Sequence, residues 1–210
     1  MSPETRQEFF DSGGADVDHL FKLIGDFAPT DALDFGCGVG RLTLALAKRA
    51  RSVVAVDIAP KMLAHARKNA EEAAITNVEF HADIPDQKFD LIVSLIVFQH
   101  VPVARGMQIL RSLLERLRPG GVAALHFMLR RPGGRVRRVL RPLRARIPLL
   151  HRIASRLEGD RRALPYMQMN EYDLAAIRGE IYRAGCGEPC LEPTDHGGME
   201  GVIVISRKET

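Results

Sequence analysis

The segment Leu33-Asp34-Phe35-Gly36-Cys37-Gly38-Val39-Gly40-Arg41 joins a short apolar run to a glycine-rich loop, and an apolar-periodic helix opens directly behind it. A chain built this way brings bare backbone close to a ligand, because glycine has no Cβ and tolerates positive φ. The spacing is Gly-x-Gly-x-Gly and differs from the Gly-x-Gly-x-x-Gly fingerprint of dinucleotide-binding folds. Asp34 stands two residues before the first glycine, where a carboxylate can face a cationic group. A sulfonium and an α-ammonium both fit that description. Taken alone, such a loop also serves as an ordinary tight turn, so its neighbours have to decide.

Ser52 to Val56 is an apolar strand that ends in Asp57, 17 residues after Gly40, which is about one helix away. A carboxylate there suits a ribose, since it can accept hydrogen bonds from both hydroxyls. Val78-Glu79-Phe80-His81-Ala82-Asp83 is a further strand ending in an acid. Phe89-Asp90-Leu91-Ile92-Val93-Ser94-Leu95-Ile96-Val97-Phe98-Gln99-His100 has a buried-strand pattern followed by aromatic and polar residues. Leu117-Arg118-Pro119-Gly120-Gly121 leads into another apolar strand. Each motif is weak by itself. Five in register, from Leu33 to about Leu129 and loosely onward to Arg207, resemble the core of the class I S-adenosylmethionine-dependent methyltransferases.

That resemblance implies a cofactor site for S-adenosylmethionine, with S-adenosylhomocysteine as its product. Gly36, Cys37 and Gly38 would pass under the methionine and ribose moieties through backbone contacts, with Gly40 in the same loop and Asp34 near the amino-acid end. Asp57 would hold the ribose. Ile58 and Met62 would cover one adenine face, unless they are core. Asp83 and the Ile84 backbone would meet the adenine edge, and Leu95 would line the pocket. On the acceptor side His100 follows the fourth strand, where an imidazole suits a general base or a hydrogen-bonded pocket residue. Tyr166 and His196 lie on segments that reach the same rim, as substrate contacts. His126, inside the fifth strand, reads as buried and satisfied. Ser94-Leu95-Ile96-Val97 replaces the Asn-Pro-Pro-Tyr or Asp-Pro-Pro-Tyr of enzymes that methylate nucleobase or glutamine nitrogens, which counts against those acceptors. No acidic cluster suggests a metal.

Strands alternating with helices imply an α/β, doubly wound, mostly parallel seven-stranded sheet with an antiparallel edge hairpin. Ligands of such sheets bind outside the carboxyl ends of the strands. The spacing predicts one or two short helices over 3–28, broken at Gly13-Gly14, and then strands over 32–35, 52–56, 78–81, 89–95 and 122–129. Helices are predicted behind the loop over about 40–50, from Pro60, and over 103–117. The Pro60 helix turns Met62, Leu63, Ala66, Ala70 and Ala73 toward the sheet. Asn170 is placed as an N-cap with Asp173 three residues on. That helix stops at Gly185, and two closing strands over 189–194 and 202–207 meet through Gly197-Gly198. The whole reads as one domain: N-terminal helices over 1–30, a cofactor core over 31–129, an insert over 130–168, and a C-terminal helix and strands over 169–210.

The size suits one sizeable core. There is no run of 18 apolar residues to span a membrane and no secretory pattern near the start. Cys37, Cys186 and Cys190 form no disulfide framework, which fits a cytoplasmic protein with reduced thiols. The net charge of +4 is unevenly spread. Arg130 to Arg162 holds 12 arginines, no lysine and only Glu158 and Asp160 as acids, a net of +10 that leaves −6 for the other 177 residues. Its apolar residues recur mostly at three- and four-residue steps, interrupted by Pro142 and Pro148. This predicts an Arg-rich helical lid over the acceptor site. The leading reading of the charge is the solvated face of a lid whose apolar side packs on the core; an acidic or lipid-linked acceptor and peripheral contact with an anionic membrane through 130–162 also suit it. No aromatic residue lies between Arg130 and Arg162 to stack bases, which argues against nucleic acid. Methyl transfer to a small molecule at oxygen (a secondary metabolite, sugar or glycolipid) is the leading expectation. An RNA or protein methyltransferase docking through the arginines comes second, and a non-catalytic cofactor-fold protein third.

Overall fold

The structure is a computed structural model that describes residues 3–130 and 169–210. The Arg-rich insert beyond Arg130, and Tyr166 with it, lies outside the described residues. The strands are β1 (Asp31–Phe35), β2 (Ser52–Val56), β3 (Val78–His81), β4 (Phe89–Ser94), β5 (Leu117–Arg130), β6 (Cys190–Asp195) and β7 (Glu200–Arg207). The helices are α1 (Pro3–Ile24), α2 (Arg41–Leu46), α3 (Pro60–Glu72), α4 (Val103–Glu115) and α5 (Leu174–Arg183), with a 3₁₀ turn at Phe98–His100.

The sheet order is β3-β2-β1-β4-β5-β7-β6. Strands β1 to β5 pair in parallel, and β7 runs antiparallel to both β5 and β6. Successive residues of a strand face opposite sides. Leu33, Ile92, Ala123, Leu125 and Phe127 therefore pack with Leu110, Leu113 and Leu114 of α4 and Ile177 and Ile181 of α5. Their neighbours Ala32, Val93, Val122 and Ala124 pack with Val17 and Leu20 of α1 and with Leu42 and Leu46 of α2. Both faces are covered, which is why the central strands read as unbroken apolar runs.

Several expected boundaries move. Gly13-Gly14 does not break the N-terminal segment, which is one helix. A Cβ on Gly13 would overlap the Arg41 carbonyl, so the glycine lets α1 lie against the start of α2. Pro119-Gly120-Gly121 does not precede β5 but falls within it, at a register shift against β4. Leu117 accordingly opens that strand and does not close α4. Asn170 is not the cap of α5. Asp173 caps it, accepting from Ala175 N at 3.2 Å. Asn170 instead donates to the Gln99 carbonyl through its backbone N at 2.7 Å and its side-chain Nδ2 at 3.1 Å. On α3, Leu63, Ala66 and Ala70 are buried, but Met62 and Ala73 face outward.

Candidate functional site

The glycine loop leaves β1 at Phe35 and is pinned to the end of β2. Gly36 N and Cys37 N both donate to the Val56 carbonyl, at 2.8 and 2.9 Å. Gly38 N donates to Asp57 Oδ2 at 2.9 Å, while Asp57 Oδ1 accepts from Ala59 N at 2.8 Å. One carboxylate thus fixes the loop and the start of α3 together, and each of its oxygens keeps a second lone pair. Gly36 and Gly38 have φ of +79° and +55°, where side chains are strained. The two differ in what surrounds them. A Cβ on Gly36 would overlap the Val97 side chain, whereas a Cβ on Gly38 would meet nothing within 4 Å.

Asp34 is 1 % exposed at the end of β1. The Thr43 hydroxyl donates to its Oδ2 at 2.6 Å. Burial pushes the Asp34 carboxyl up to about 6, against the Thr43 bond and the Arg41 charge that pull it down. A carboxyl held in this state is stabilised as an anion by a cation placed beside it. Cys37 is buried, and that burial, with Asp34 and Asp57 nearby, lifts its thiol far above the ordinary range. Burial thus holds the thiol in its protonated form, which is the poorly nucleophilic one.

Beyond the loop the rim is open. Ile58 is 90 % exposed and Met62 40 %. Neither is core, so the core alternative raised by the sequence does not hold for them. Asp83 is exposed and Ile84 is half-buried, packed against the α4 side of the core. Asp57 N donates to the His81 carbonyl at 3.2 Å, which holds the ends of β2 and β3 side by side. Leu95 is half-buried on the α1 side, directly after β4. The next residue, Ile96, has φ of +62°, an unusual conformation for a branched side chain. His100 is exposed at the end of the 3₁₀ turn, with its Nε2 3.4 Å from Gln99 Nε2.

The structure therefore brings Asp34, Gly36, Cys37, Gly38, Gly40, Asp57, Ile58, Met62, Asp83 and Ile84 to one rim, with Leu95 and His100 at the neighbouring strand end. His196 is exposed in the β6–β7 turn, two strands away from β4 in the sheet order. Its ring packs edge-on to His126 at 5.4 Å between centroids. Sequence reasoning missed two residues of the loop's support. Thr43 is a fully buried polar residue on an otherwise apolar helix face, and that mismatch was its signal. Arg41 donates to Asp16 at 2.6 Å and Ser12 at 3.2 Å, tying α1 to the loop. His126 differs in part from the expectation. It is buried, but only its Nε2 has a partner, Thr194 Oγ1 at 2.9 Å.

A family model of methyltransferase domains matches residues 32–121. Residues 32–121, somewhat less than half of the chain, are thus similar to a methyltransferase domain. The chain is 35% identical over 116 residues to a ubiquinone biosynthesis O-methyltransferase of Actinobacillus pleuropneumoniae, covering 50% of this chain and 49% of that protein. It is 34% identical over 97 residues to the human tRNA (uracil-5-)-methyltransferase homolog A, covering 44% of this chain and 16% of that one. The chain thus spans about half the length, or less, of these curated relatives. Magnesium protoporphyrin IX methyltransferase from Synechocystis PCC 6803, solved with bound S-adenosylhomocysteine, superposes with a TM-score of 0.67 at 20% identity, over 97% of this chain and 84% of that one. The N-methyltransferase NodS from Bradyrhizobium japonicum gives 0.63 at 14% identity, over 96% and 88%. These two show the shared fold. The matched region holds the glycine loop and the ends of β1 to β4, and it stops before the Arg-rich insert. Among the described residues no helix is long and apolar enough to cross a membrane, and no three His, Cys, Asp or Glu residues cluster as metal ligands.

Proposed function

We propose that this protein transfers a methyl group from S-adenosylmethionine to a hydroxyl oxygen of a small-molecule acceptor. One observation carries the reading: a bare, positive-φ loop with open space at Gly38, flanked by an engaged carboxylate at Asp57 and by the exposed apolar side chains of Ile58 and Met62. A polar ribose and an apolar ring fit those neighbours in that order. Asp57 takes the ribose hydroxyls on its spare lone pairs. Ile58 and Met62 cover the adenine, with Asp83 and the Ile84 backbone at its edge. Asp34 faces the cationic amino-acid end. When bound, the cofactor supplies an electrophilic methyl group on its sulfonium.

The chain's own task is to hold the acceptor in line and, for a hydroxyl, to take its proton. His100, at the exit of β4, is placed for that proton. Oxygen as the acceptor atom is supported by the O-methyltransferase relative, and Ser94-Leu95-Ile96-Val97 stands where enzymes that methylate nucleobase or glutamine nitrogens carry Asn-Pro-Pro-Tyr or Asp-Pro-Pro-Tyr, which counts against those acceptors. Twelve arginines over 130–162 favour an acidic or lipid-linked acceptor, met at the cytoplasmic surface of an anionic membrane.

The test is to incubate the protein with radiolabelled S-adenosylmethionine and a fractionated cell extract. Label in the organic-soluble or small-molecule fraction is the expected result. Label confined to RNA or protein would overturn the small-molecule reading. Calorimetric titration with S-adenosylhomocysteine checks the cofactor site separately.

A further inference from the structure

His126 lies on β5 and pairs in register with Ile203 of β7, yet its ring does not stand over that residue. A Cβ added to Gly201 would sit 2.7 Å from His126 Nε2 and 2.7 Å from Thr194 Oγ1. The ring therefore leans one pairing step toward the carboxyl rim of the sheet, across a gap that only glycine leaves. Nε2 reaches Thr194 on β6, and the His196 ring caps the arrangement from the turn. His126 is 3 % exposed, and its Nδ1 is the only buried side-chain nitrogen or oxygen among the described residues with no hydrogen-bond partner. An orphaned buried polar atom costs about 1–3 kcal/mol and calls for an explanation.

Its position supplies one. Val93 of β4 pairs with Ala124 of β5, and both face α1. One alternation further toward the rim, Leu95 and His126 follow them on that same side. His126 thus stands beside the β4 exit, on the side away from the adenine end, where the acceptor has to approach.

Resting on the methyltransferase reading above, we infer that His126 binds the methyl acceptor, with Nδ1 hydrogen-bonded to a hydroxyl of that molecule and Thr194 holding the ring in place. Burial, with the nearby His196, brings the His126 imidazole down to about 4. It is neutral at physiological pH and too weak a base to keep a proton, so it orients the acceptor and leaves proton removal to another group.

Three variants test this. In His126→Asn the amide occupies the place of Nδ1; in His126→Gln it occupies that of Nε2; His126→Leu has neither. Each is assayed for melting temperature, S-adenosylhomocysteine affinity by calorimetry, and label transfer from S-adenosylmethionine to the methyl-accepting fraction of a cell extract at subsaturating amounts. For the Leu variant the expected result is an unchanged or higher melting temperature, cofactor-product affinity within about twofold, and transfer at least tenfold lower. The Asn variant keeps most of the transfer and the Gln variant does not. Wild-type transfer by the Leu variant overturns the assignment, and so does equal loss in the Asn and Gln variants. Should the wild type bind S-adenosylhomocysteine but label nothing, the acceptor reading falls and this assignment with it. Should it bind no S-adenosylhomocysteine, the fault lies with the cofactor site.

Discussion

Replacing Gly36 and Gly38 separately by alanine divides what the loop does for folding from what it does for binding. Both glycines have positive φ, so each alanine carries about 1–2 kcal/mol of backbone strain. For a chain of this length that corresponds to a fall in melting temperature of roughly 2–4 °C per kcal/mol. At Gly36 the new methyl group also overlaps Val97, and overpacking adds about 1–3 kcal/mol. Gly36→Ala should therefore lose about 2–5 kcal/mol, a large part of a typical domain's stability. Gly38→Ala meets nothing within 4 Å and keeps the backbone N–H that binds Asp57. It should fold with only the smaller penalty. Its methyl group nevertheless fills the space the cofactor needs, so affinity for S-adenosylhomocysteine should fall at least tenfold, about 1.4 kcal/mol. Thermal melts and calorimetric titration read the two effects independently. Undiminished affinity in Gly38→Ala would refute the claim that the ligand passes over this backbone. Equal destabilisation of the two variants would refute the steric account of Gly36.

Asp34 predicts a pH effect. Its folded-state carboxyl titrates at about 6 against a model-compound value of 3.8, so the folded chain binds more protons between those limits and its stability falls as pH rises from about 4 to about 6. Asp34→Asn should remove that component and raise stability at pH 7 by up to about 3 kcal/mol, while weakening S-adenosylmethionine binding. Urea unfolding at pH 4.5 and pH 7 checks the sign, and parallel curves for wild type and variant would count against it. Gly106→Ala improves helix propensity by up to about 1 kcal/mol, but its Cβ would overlap the Tyr172 hydroxyl, which donates to the Val101 carbonyl at 2.8 Å. A melting temperature lowered by several degrees is expected, and a raised one would contradict the packing. His100→Ala should reduce label transfer much more than S-adenosylhomocysteine affinity; near-normal transfer would remove it as the proton acceptor. Among the thiols, Cys190 is exposed while Cys37 and Cys186 are buried with thiols shifted upward. Ellman's reagent should modify one thiol per native chain and three after denaturation.

What the sequence revealed follows from which interactions are local. Strands buried on both faces, such as Leu91-Ile92-Val93, advertise themselves through unbroken apolar runs. The rim around the glycine loop is legible for a related reason: Asp34, Asp57 and Asp83 each sit at the point where a readable strand stops. The misses all involve contacts across the chain. Gly13 reads as a breaker until Arg41 is seen against it. Asn170 reads as a helix cap until Gln99 claims its side chain. The solitary Nδ1 of His126 cannot be read from β5 alone, because Thr194 and Gly201 come from two other strands.

Tyr172 N donates to the Met128 carbonyl at 2.8 Å, and the Tyr172 hydroxyl and the Asn170 amide fasten the same returning segment to Val101 and Gln99. The chain that departs after β5 is therefore stitched shut at its base by groups of β5, of the turn after β4 and of the returning segment. Lengthening a loop closed in this way costs only about 0.6 kcal/mol for each doubling. The stretch from 131 to 168 can thus diverge in length and composition with little penalty to the sheet.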